Sequence, residues 1–309
     1  MMRLMRLILP TLLALLFSAN VDARLLLIVS QESPVYQEFQ QSMLETLNSA
    51  VAEELDFRLA SDVAGLDFSS YSAVVVAGFE AAKVVAAHNF PDKPLLYTML
   101  PLSSYQWLDA NSMLSPQHKL LYIDQPVSRY LQLLRAAMPD ITTVGYLYGE
   151  TSAFYIEDIK KIVDVTKYQI VFGGLMGNNK LSNLLKNMFS DSDAMLLLPD
   201  PFFYNRRVVQ EILLASFRYK RPLVAYSESF LKAGAMLALF STPGQIGRQT
   251  AEIINCLGKR CYGAVMQRSA PKYFSVMVND VVARQMGMSS KSAEELQKEL
   301  EFVGTLKSR

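Results

Sequence analysis

Short, continuous apolar runs alternate with amphipathic stretches along most of the chain. A continuous run, as opposed to strict alternation, is typical of a strand that is buried on both faces of a parallel sheet. The runs predict strands at residues 24–30, 55–60, 73–77, 95–99, 120–123, 143–148, 169–172, 194–199, 223–227, 236–241 and 273–279.

Between these runs, apolar side chains recur at the spacing of a helix face. Ser33 and Pro34 form a helix cap with a first-turn proline. The stripe that follows them has members four residues apart: Val35, Phe39, Met43, Leu47 and Val51. A second stripe has the same character: Val127, Leu131, Leu134 and Met138. Near the carboxyl end, Ser292 and Glu295 make a capping box that predicts a polar terminal helix at 293–302.

Strand–helix alternation of this kind predicts parallel sheets covered by helices on both faces. The strands are too many for one compact sheet, and a break at 122–126 divides them into two series. We therefore predict an α/β protein with two Rossmann-like lobes, whose parallel sheets are joined by short crossing segments. The segment 101–116 is predicted to be irregular.

The first residues predict an export signal. Arg3 and Arg6 precede an apolar run at 7–17, and Val21 and Ala23 offer the small residues that a signal peptidase reads before Arg24. The run is shorter than the roughly 20 residues that span a bilayer, although an uncleaved membrane anchor is the alternative interpretation. Residues 1–23 are thus expected to be a cleaved signal peptide, and the mature protein is expected in the periplasm.

Composition narrows the class of function. The chain has 30 Lys and Arg against 29 Asp and Glu, and removal of 1–23 takes away Arg3, Arg6 and Asp22, which leaves 28 of each sign. A nucleic-acid binder would show a basic excess, so no nucleic-acid partner is expected. Two histidines in the whole chain argue against a histidine-based metal site or a Ser-His-Asp hydrolase. The glycine-rich, nucleophile-elbow and zinc-protease motifs are missing from the sequence, so neither a cofactor nor catalysis is expected.

The two cysteines, Cys256 and Cys261, flank a short loop that contains Gly258. Export to an oxidising compartment favours a local disulfide between them, which Gly258 would help by letting the chain turn back. The alternative is two free thiols, one on a helix and one in a loop.

Parallel sheets bind ligands beyond the carboxyl ends of their strands, which makes the loops after the predicted strands informative. These loops place carboxylates, hydroxyls and aromatic rings where two lobes would face one another: 30–33, 78–80, Thr98, 148–151, 200–204 and 226–229. Each has a plainer interpretation. Asp200 and Glu228 would serve equally as helix caps or as partners of Arg206 and Lys232, and the aromatic residues at 202–204 as ordinary packing.

Two segments resemble a known family. Residues 122–135 (YIDQPVSRYLQLLR) with 143–148 (TVGYLY) are similar to the middle of the ABC-transporter substrate-binding proteins of the tryptophan/tyrosine type. Residues 222–235 (PLVAYSESFLKAGA) resemble that family's strand, acidic turn and Lys-Ala-Gly-Ala segment. The likeness continues in order through 247–251, 273–279 and 283–287, whereas over 24–119 only the order of elements agrees.

The resemblance implies a type I periplasmic binding fold, in which two lobes close over a ligand by hinge bending. Lobe 1 would comprise 24–123 and 242–264, and lobe 2 would comprise 124–241 and 265–288, with a polar helix and tail at 289–309. Family members bind amino acids or related small molecules, and the closed form docks on an inner-membrane ABC permease. The protein is then expected to act as a monomer.

Carried over position by position, the resemblance implies ligand contacts from both lobes. The lobe 1 contacts would be Ser30, Gly78, Phe79 and Thr98. The lobe 2 contacts would be Tyr148, Asp200, Tyr226, Ser227 and Glu228. One departure matters, because residues 240–243 (FSTP) replace an acidic turn of the family. An unpaired ammonium in a closed cleft costs several kcal/mol, so Asp200 or Glu228 would have to supply the anion.

The sequence therefore predicts the periplasmic solute-binding component of an ABC importer. The alternative is a periplasmic sensor or adaptor of the same fold that signals to a membrane partner. The unusual crossing at 241–242 and the charged helix at 291–301 favour that alternative.

Overall fold

The structure is a computed structural model that describes residues 24–88, 94–163, 168–175, 181–257 and 268–307. The predicted export signal at 1–23 lies outside the described residues. Cys256 ends a helix but Cys261 is not described, so the disulfide between them stays a prediction. Among the described residues, no helix combines the length and the apolar character that crossing a bilayer requires.

The described strands and helices follow one another in the predicted alternation. The strands are β1 (Leu25–Val29), β2 (Leu55–Leu59), β3 (Ala73–Ala77), β4 (Leu95–Leu100), β5 (Lys119–Tyr122), β6 (Thr143–Tyr148), β7 (Gln169–Gly174), β8 (Ala194–Leu197), β9 (Leu223–Ala225), β10 (Leu237–Phe240), β11 (Arg268–Ser269) and β12 (Ser275–Val278). The helices are α1 (Pro34–Thr46), α2 (Ser49–Glu53), α3 (Phe79–Ala86), α4 (Leu102–Ala110), α5 (Val127–Ala137), α6 (Tyr155–Val163), α7 (Leu181–Asp191), α8 (Arg206–Tyr219), α9 (Glu228–Ala233), α10 (Pro243–Cys256), α11 (Asp280–Met286) and α12 (Ala293–Lys307).

The described strands form two six-stranded sheets, one in each lobe. The first has the order β11-β5-β4-β3-β1-β2 and the second β12-β10-β9-β8-β6-β7. In the first sheet, β1 pairs in parallel with both β2 and β3, and every side chain of β1 and β3 is buried, as a strand covered on both faces requires. The predicted α/β fold with two Rossmann-like lobes is confirmed.

Helices cover both faces of each sheet. On one face of the first sheet, α1 packs against α10, and Phe39 and Met43 of α1 are fully buried there. The sequence places Val35 on the same stripe, but this residue lies in the first turn of α1 and is 48% exposed. Helix α1 ends at Thr46, before the last two members of the predicted stripe. The close contact of these helices depends on Gly247, which lies directly against the backbone of Phe39.

The segment 101–116 is not irregular throughout as predicted, because it contains α4. Its inward side chains are Tyr105 and Leu108, one turn apart and fully buried. The Tyr105 hydroxyl donates to the carbonyl oxygens of Tyr97 and Leu121, at 2.8 and 3.1 Å. Tyr105 and Leu108 are the buried residues of this short helix, and two residues are too few to form an apolar stripe in the sequence.

The chain crosses between the lobes for the third time between β11 and β12, and this crossing differs from its prediction in two respects. The sequence assigns 265–288 to lobe 2, whereas β11 pairs in parallel with β5 of the first sheet. Strand β12 then joins the second sheet antiparallel to β10, so that sheet is not wholly parallel. A strand that arrives from the other lobe enters the sheet from its opposite end, which reverses its direction.

The terminal helix is longer than predicted and belongs to the second lobe. Leu296 and Leu300 of α12 are fully buried in the core that α5 and β12 contribute to. Gln297 fixes the helix further, since its amide accepts from the backbone N–H of Val276 and donates to the carbonyl oxygen of Phe274. The helix at 293–307 is thus a packed layer with a polar outer face, and not a separate tail.

Candidate ligand-binding site

A cavity of about 250 Å³ lies where the chain crosses between the two lobes. The first lobe contributes Pro101 at the end of β4, and residues of the crossings and of the second lobe form the other walls. The remaining lining residues are Ile123, Asp124, Gln125, Tyr130, Pro199, Tyr204, Tyr226, Ser227, Phe240 and Ser241. Most of them follow the carboxyl end of a strand, where parallel sheets place their ligands.

A second, shallower depression of about 600 Å³ lies between α7 and α8. Its lining comes from these two helices, and no strand end contributes to it among the described residues. The cavity at the crossings is the better candidate, because both lobes and the crossing segments meet there.

Asp124 is the charged residue of the cavity lining, and it is 3% exposed. One carboxylate oxygen accepts from the backbone N–H of Leu102 at 2.6 Å, and the other accepts from the Tyr155 hydroxyl at 2.5 Å. Burial raises the pKa of this carboxyl to about 6, although its hydrogen bonds with the Tyr155 hydroxyl, the Leu102 N–H and its own backbone N–H act in the opposite direction. Asp124 therefore ties α4 of one lobe to α6 of the other.

The three crossings are joined by a chain of hydrogen bonds. The side-chain amide of Gln125, on the first crossing, donates to Ser241 Oγ on the second at 2.7 Å. Ser241 in turn donates to the carbonyl oxygen of Tyr273, on the third, at 2.6 Å. Arg129 reinforces the link, since its guanidinium contacts the Gln125 side chain and donates to the carbonyl oxygen of Pro271 at 3.0 Å. Ser241 thus connects the second crossing to both the first and the third.

Ser241→Ala is expected to lower the free energy of unfolding by about 1–2 kcal/mol, because the Gln125 amide and the Tyr273 carbonyl both lose a partly buried partner. Urea unfolding at pH 7 measures the change. Ser61→Ala is the matched control: its hydroxyl bonds only to exposed Asp62, and a change within about 0.5 kcal/mol is expected. Equal losses in the two variants would contradict the hinge role of Ser241.

Aromatic side chains form much of the cavity wall. Tyr130 is buried and its hydroxyl donates to the carbonyl oxygen of Leu239 at 3.0 Å. Tyr226 packs on Phe230, with ring centroids 5.2 Å apart, while Tyr204 is 72% exposed at the rim. Burial, and the nearby carboxylates, raise the pKa of Tyr130, Tyr204 and Tyr226, so these phenols stay neutral.

Of the nine ligand contacts that the resemblance implies, Tyr226 and Ser227 line this cavity. Ser227 also caps α9, since its hydroxyl accepts from the backbone N–H of Phe230 at 3.4 Å. The other seven lie outside the lining. Their role in binding stays a prediction, and the structure gives most of them a local task.

The lobe 1 residues of the prediction stabilise their own loops. Ser30 accepts from the backbone N–H of Ala81 at 3.1 Å, so it caps the first turn of α3. Gly78 has a φ of +93° and lies against the Tyr36 hydroxyl, where a Cβ would not fit. Phe79 packs edge-on against Trp107, with centroids 5.3 Å apart. Thr98 has no exposed surface, and its hydroxyl lies 3.5 Å from that of Thr250 in α10.

The remaining lobe 2 residues are also engaged. Asp200 is 1% exposed and accepts from the backbone N–H of Phe202 at 2.7 Å and from the Thr151 hydroxyl at 3.1 Å. Tyr148 stacks on Tyr146. Glu228 forms an ion pair of 2.7 Å with Lys232, the surface pairing that the sequence left open as its alternative.

Sequence reasoning missed most of the cavity. Asp124 and Gln125 were interpreted as part of a helix cap, whereas α5 begins at Val127 and has Pro126 at its N-cap position. Tyr130 was not singled out. Asp124 also follows β5 and so satisfied the rule for strand ends. Ser241 was noted for the acid it lacks and not for its hydroxyl. The described residues hold no group of three or more His, Cys, Asp or Glu side chains placed to bind a metal ion.

Solved structures share this fold over nearly the whole chain. A conserved domain protein from Vibrio cholerae matches with a TM-score of 0.57 and 16% identity, over 89% of this chain and 98% of the other. An ABC domain in complex with L-Trp from Streptococcus pneumonia gives 0.55 and 16%, over 89% and 98%. The ligand-free, open form of a substrate binding protein with adhesive properties from Clostridium difficile gives 0.68 and 14%, over 87% and 96%.

Sequence comparison supplies the family. None of the curated proteins matches the chain in sequence. The family model of the ABC transporter substrate binding proteins matches residues 123–299, which is more than half of the chain. This match covers the crossings and the second lobe as far as residue 299, within the terminal helix, and it confirms the resemblance seen in the sequence. The chain belongs to the ABC transporter substrate binding protein family, whose members are substrate-binding components of transport systems.

Proposed function

We propose that this chain is the solute-binding component of an ABC importer and that it holds a small molecule in the cavity at the crossings. It acts in the periplasm after residues 1–23 are removed, closes over its ligand by hinge bending, and delivers the ligand to an inner-membrane permease as a monomer. The family match and the shared fold with an L-Trp complex support this proposal.

The position of the cavity carries the proposal. Its walls come from the end of β4 in one lobe, from the ends of β8, β9 and β10 in the other, and from the first two crossings. A rotation about the crossings therefore changes the volume of the cavity directly, as hinge closure around a ligand requires. A volume of about 250 Å³ is just below the roughly 300–1,000 Å³ of typical ligand pockets, so a small ligand is expected.

A bound ligand is expected to stabilise the mature protein and to make it more compact. At a ligand concentration about 100 times the Kd, binding should raise Tm by about 5–10 °C. Screening amino acids, sugars and amines by thermal shift identifies the compound, and small-angle scattering with and without it measures the radius of gyration.

Tyr226→Ala serves as the site control, because it removes a wall of the cavity and should abolish most of the Tm shift. If no compound of any class changes Tm, the importer proposal is wrong. If a ligand binds without compaction, the sensor or adaptor alternative gains support, since signalling to a membrane partner does not need the closed form that a permease accepts.

A further inference from the structure

Asp124 is a buried carboxylate that has no counter-ion among the described residues. Its hydrogen-bond donors, which include the Leu102 N–H and the Tyr155 hydroxyl, are neutral, and no ion pair involves it among the residues that the structure describes. With a pKa of about 6 it is mostly ionised at neutral pH. A buried charge that lacks an opposite charge is costly, and a cationic ligand would remove that cost.

The described residues that line the cavity include no positively charged group that would bind an anion. Within the described part of the chain, no Lys, Arg or His lines it. Arg129 is the nearby base on α5, and it is already engaged by Gln125, by the carbonyl oxygen of Pro271 and by the ring of Phe274, whose centroid lies 4.4 Å from the guanidinium carbon. A ligand carboxylate placed here would meet Asp124 without a compensating positive charge.

The aromatic walls also favour a cation. Tyr130, Tyr204, Tyr226 and Phe240 line the cavity, and the face of an aromatic ring attracts ammonium groups. Tyr204 and Tyr226 additionally lie in the field of Asp200, whose carboxylate also forms no ion pair with a described residue. Two carboxylates, Asp124 and Asp200, thus act on the phenols of Tyr204 and Tyr226 that line the cavity.

We propose that this cavity takes a small organic cation, an amine or ammonium compound without a carboxylate group, and that Asp124 is its counter-ion. The inference rests on the proposed function and names the ligand class of the same cavity. This ligand class differs from the zwitterionic amino acids that the sequence resemblance implies, because the described lining residues supply an anion and no cation.

Matched pairs of compounds test the charge preference on the mature protein. Phenethylamine is compared with phenylalanine, and choline with betaine, since each pair differs mainly by the carboxylate. Isothermal titration is expected to show binding of the cation at least about tenfold tighter than that of its zwitterionic partner.

Two variants assign the effect to the cavity. Asp124→Asn should weaken binding of the cation at least about tenfold, and Tyr204→Ala, at an exposed position where the fold is not at risk, should weaken it severalfold. Asp158→Asn removes an exposed carboxylate of α6 in the same lobe and should leave the affinity unchanged.

The outcomes separate this inference from the function on which it rests. Tighter binding of the amino acids, binding of a neutral sugar, or an affinity that Asp124→Asn does not change would overturn the cation assignment and leave the importer proposal standing. Failure of every cation, zwitterion and sugar to bind the folded protein would count against both.

Discussion

Gly247→Ala is expected to lower the free energy of unfolding by about 3 kcal/mol. Helices α1 and α10 pack so closely that a Cβ at this position would overlap the carbonyl oxygen of Phe39 and lie 3.2 Å from the backbone nitrogen of Met43. Both neighbours are backbone atoms of a helix, so neither can move without displacing α1 from the first sheet. Urea unfolding measures the loss.

The control for Gly247 separates packing from backbone conformation. Alanine is about 1 kcal/mol better than glycine inside a helix, so a net loss at Gly247 can only come from the contact. Gly287→Ala meets no atom within 4 Å but has a φ of +75°, and it should cost about 1–2 kcal/mol through backbone strain alone. If Gly247→Ala costs no more than this control, the helices are not held at the distance described.

The second large effect is on the pH dependence of stability. Between pH 4 and pH 8 the native protein is expected to lose about 2–3 kcal/mol of stability relative to Asp124→Asn. Asparagine does not titrate, and its amide can donate to the Tyr155 hydroxyl while its carbonyl accepts from the Leu102 N–H, as a protonated carboxyl would.

The sign follows from the direction of the pKa shift. Burial raises the pKa of Asp124 from 3.8 to about 6 in the folded protein, so the folded state holds its proton more tightly than the unfolded chain does. The stabilisation is complete below the unfolded pKa and is lost as pH rises through the folded pKa. Above pH 6 the folded protein carries the cost of an ionised carboxylate in a buried position.

Urea unfolding of both proteins at several pH values measures the difference between them. Other groups titrate equally in the two proteins and cancel. A difference that stays constant from pH 4 to pH 8 would show that the carboxylate is not desolvated as described. Asp124→Asn is therefore expected to be more stable than the native protein at neutral pH and to bind the organic cation more weakly.

The fold could be predicted from the sequence because most strands are buried on both faces and therefore appear as unbroken apolar runs. The exceptions have physical causes. Helix α4 is held by Tyr105 and Leu108, too few residues to show a period. The antiparallel direction of β12 and the pairing of β11 with the first sheet depend on where the third crossing runs, and no local pattern records that path.

The candidate site was harder to predict than the fold. Rules for strand ends and helix caps select the same residue types, and the structure shows Ser30 and Asp200 satisfied as caps. Asp124 shows the reverse case. Its position before a helix suggests a cap, but its carboxylate accepts hydrogen bonds from Leu102 and Tyr155, which are distant in the sequence. Contacts that join the lobes are long-range, and a single sequence does not contain them.

The repeated passage of the chain between the lobes has a consequence for synthesis. Helix α1 is among the first elements to be made, but its partner α10 follows only after the chain has built most of the other lobe. Neither half of the molecule can therefore complete its interior while the polypeptide is still emerging. The interior of the first lobe is therefore expected to close only after residues 243–256 have been made, late in synthesis.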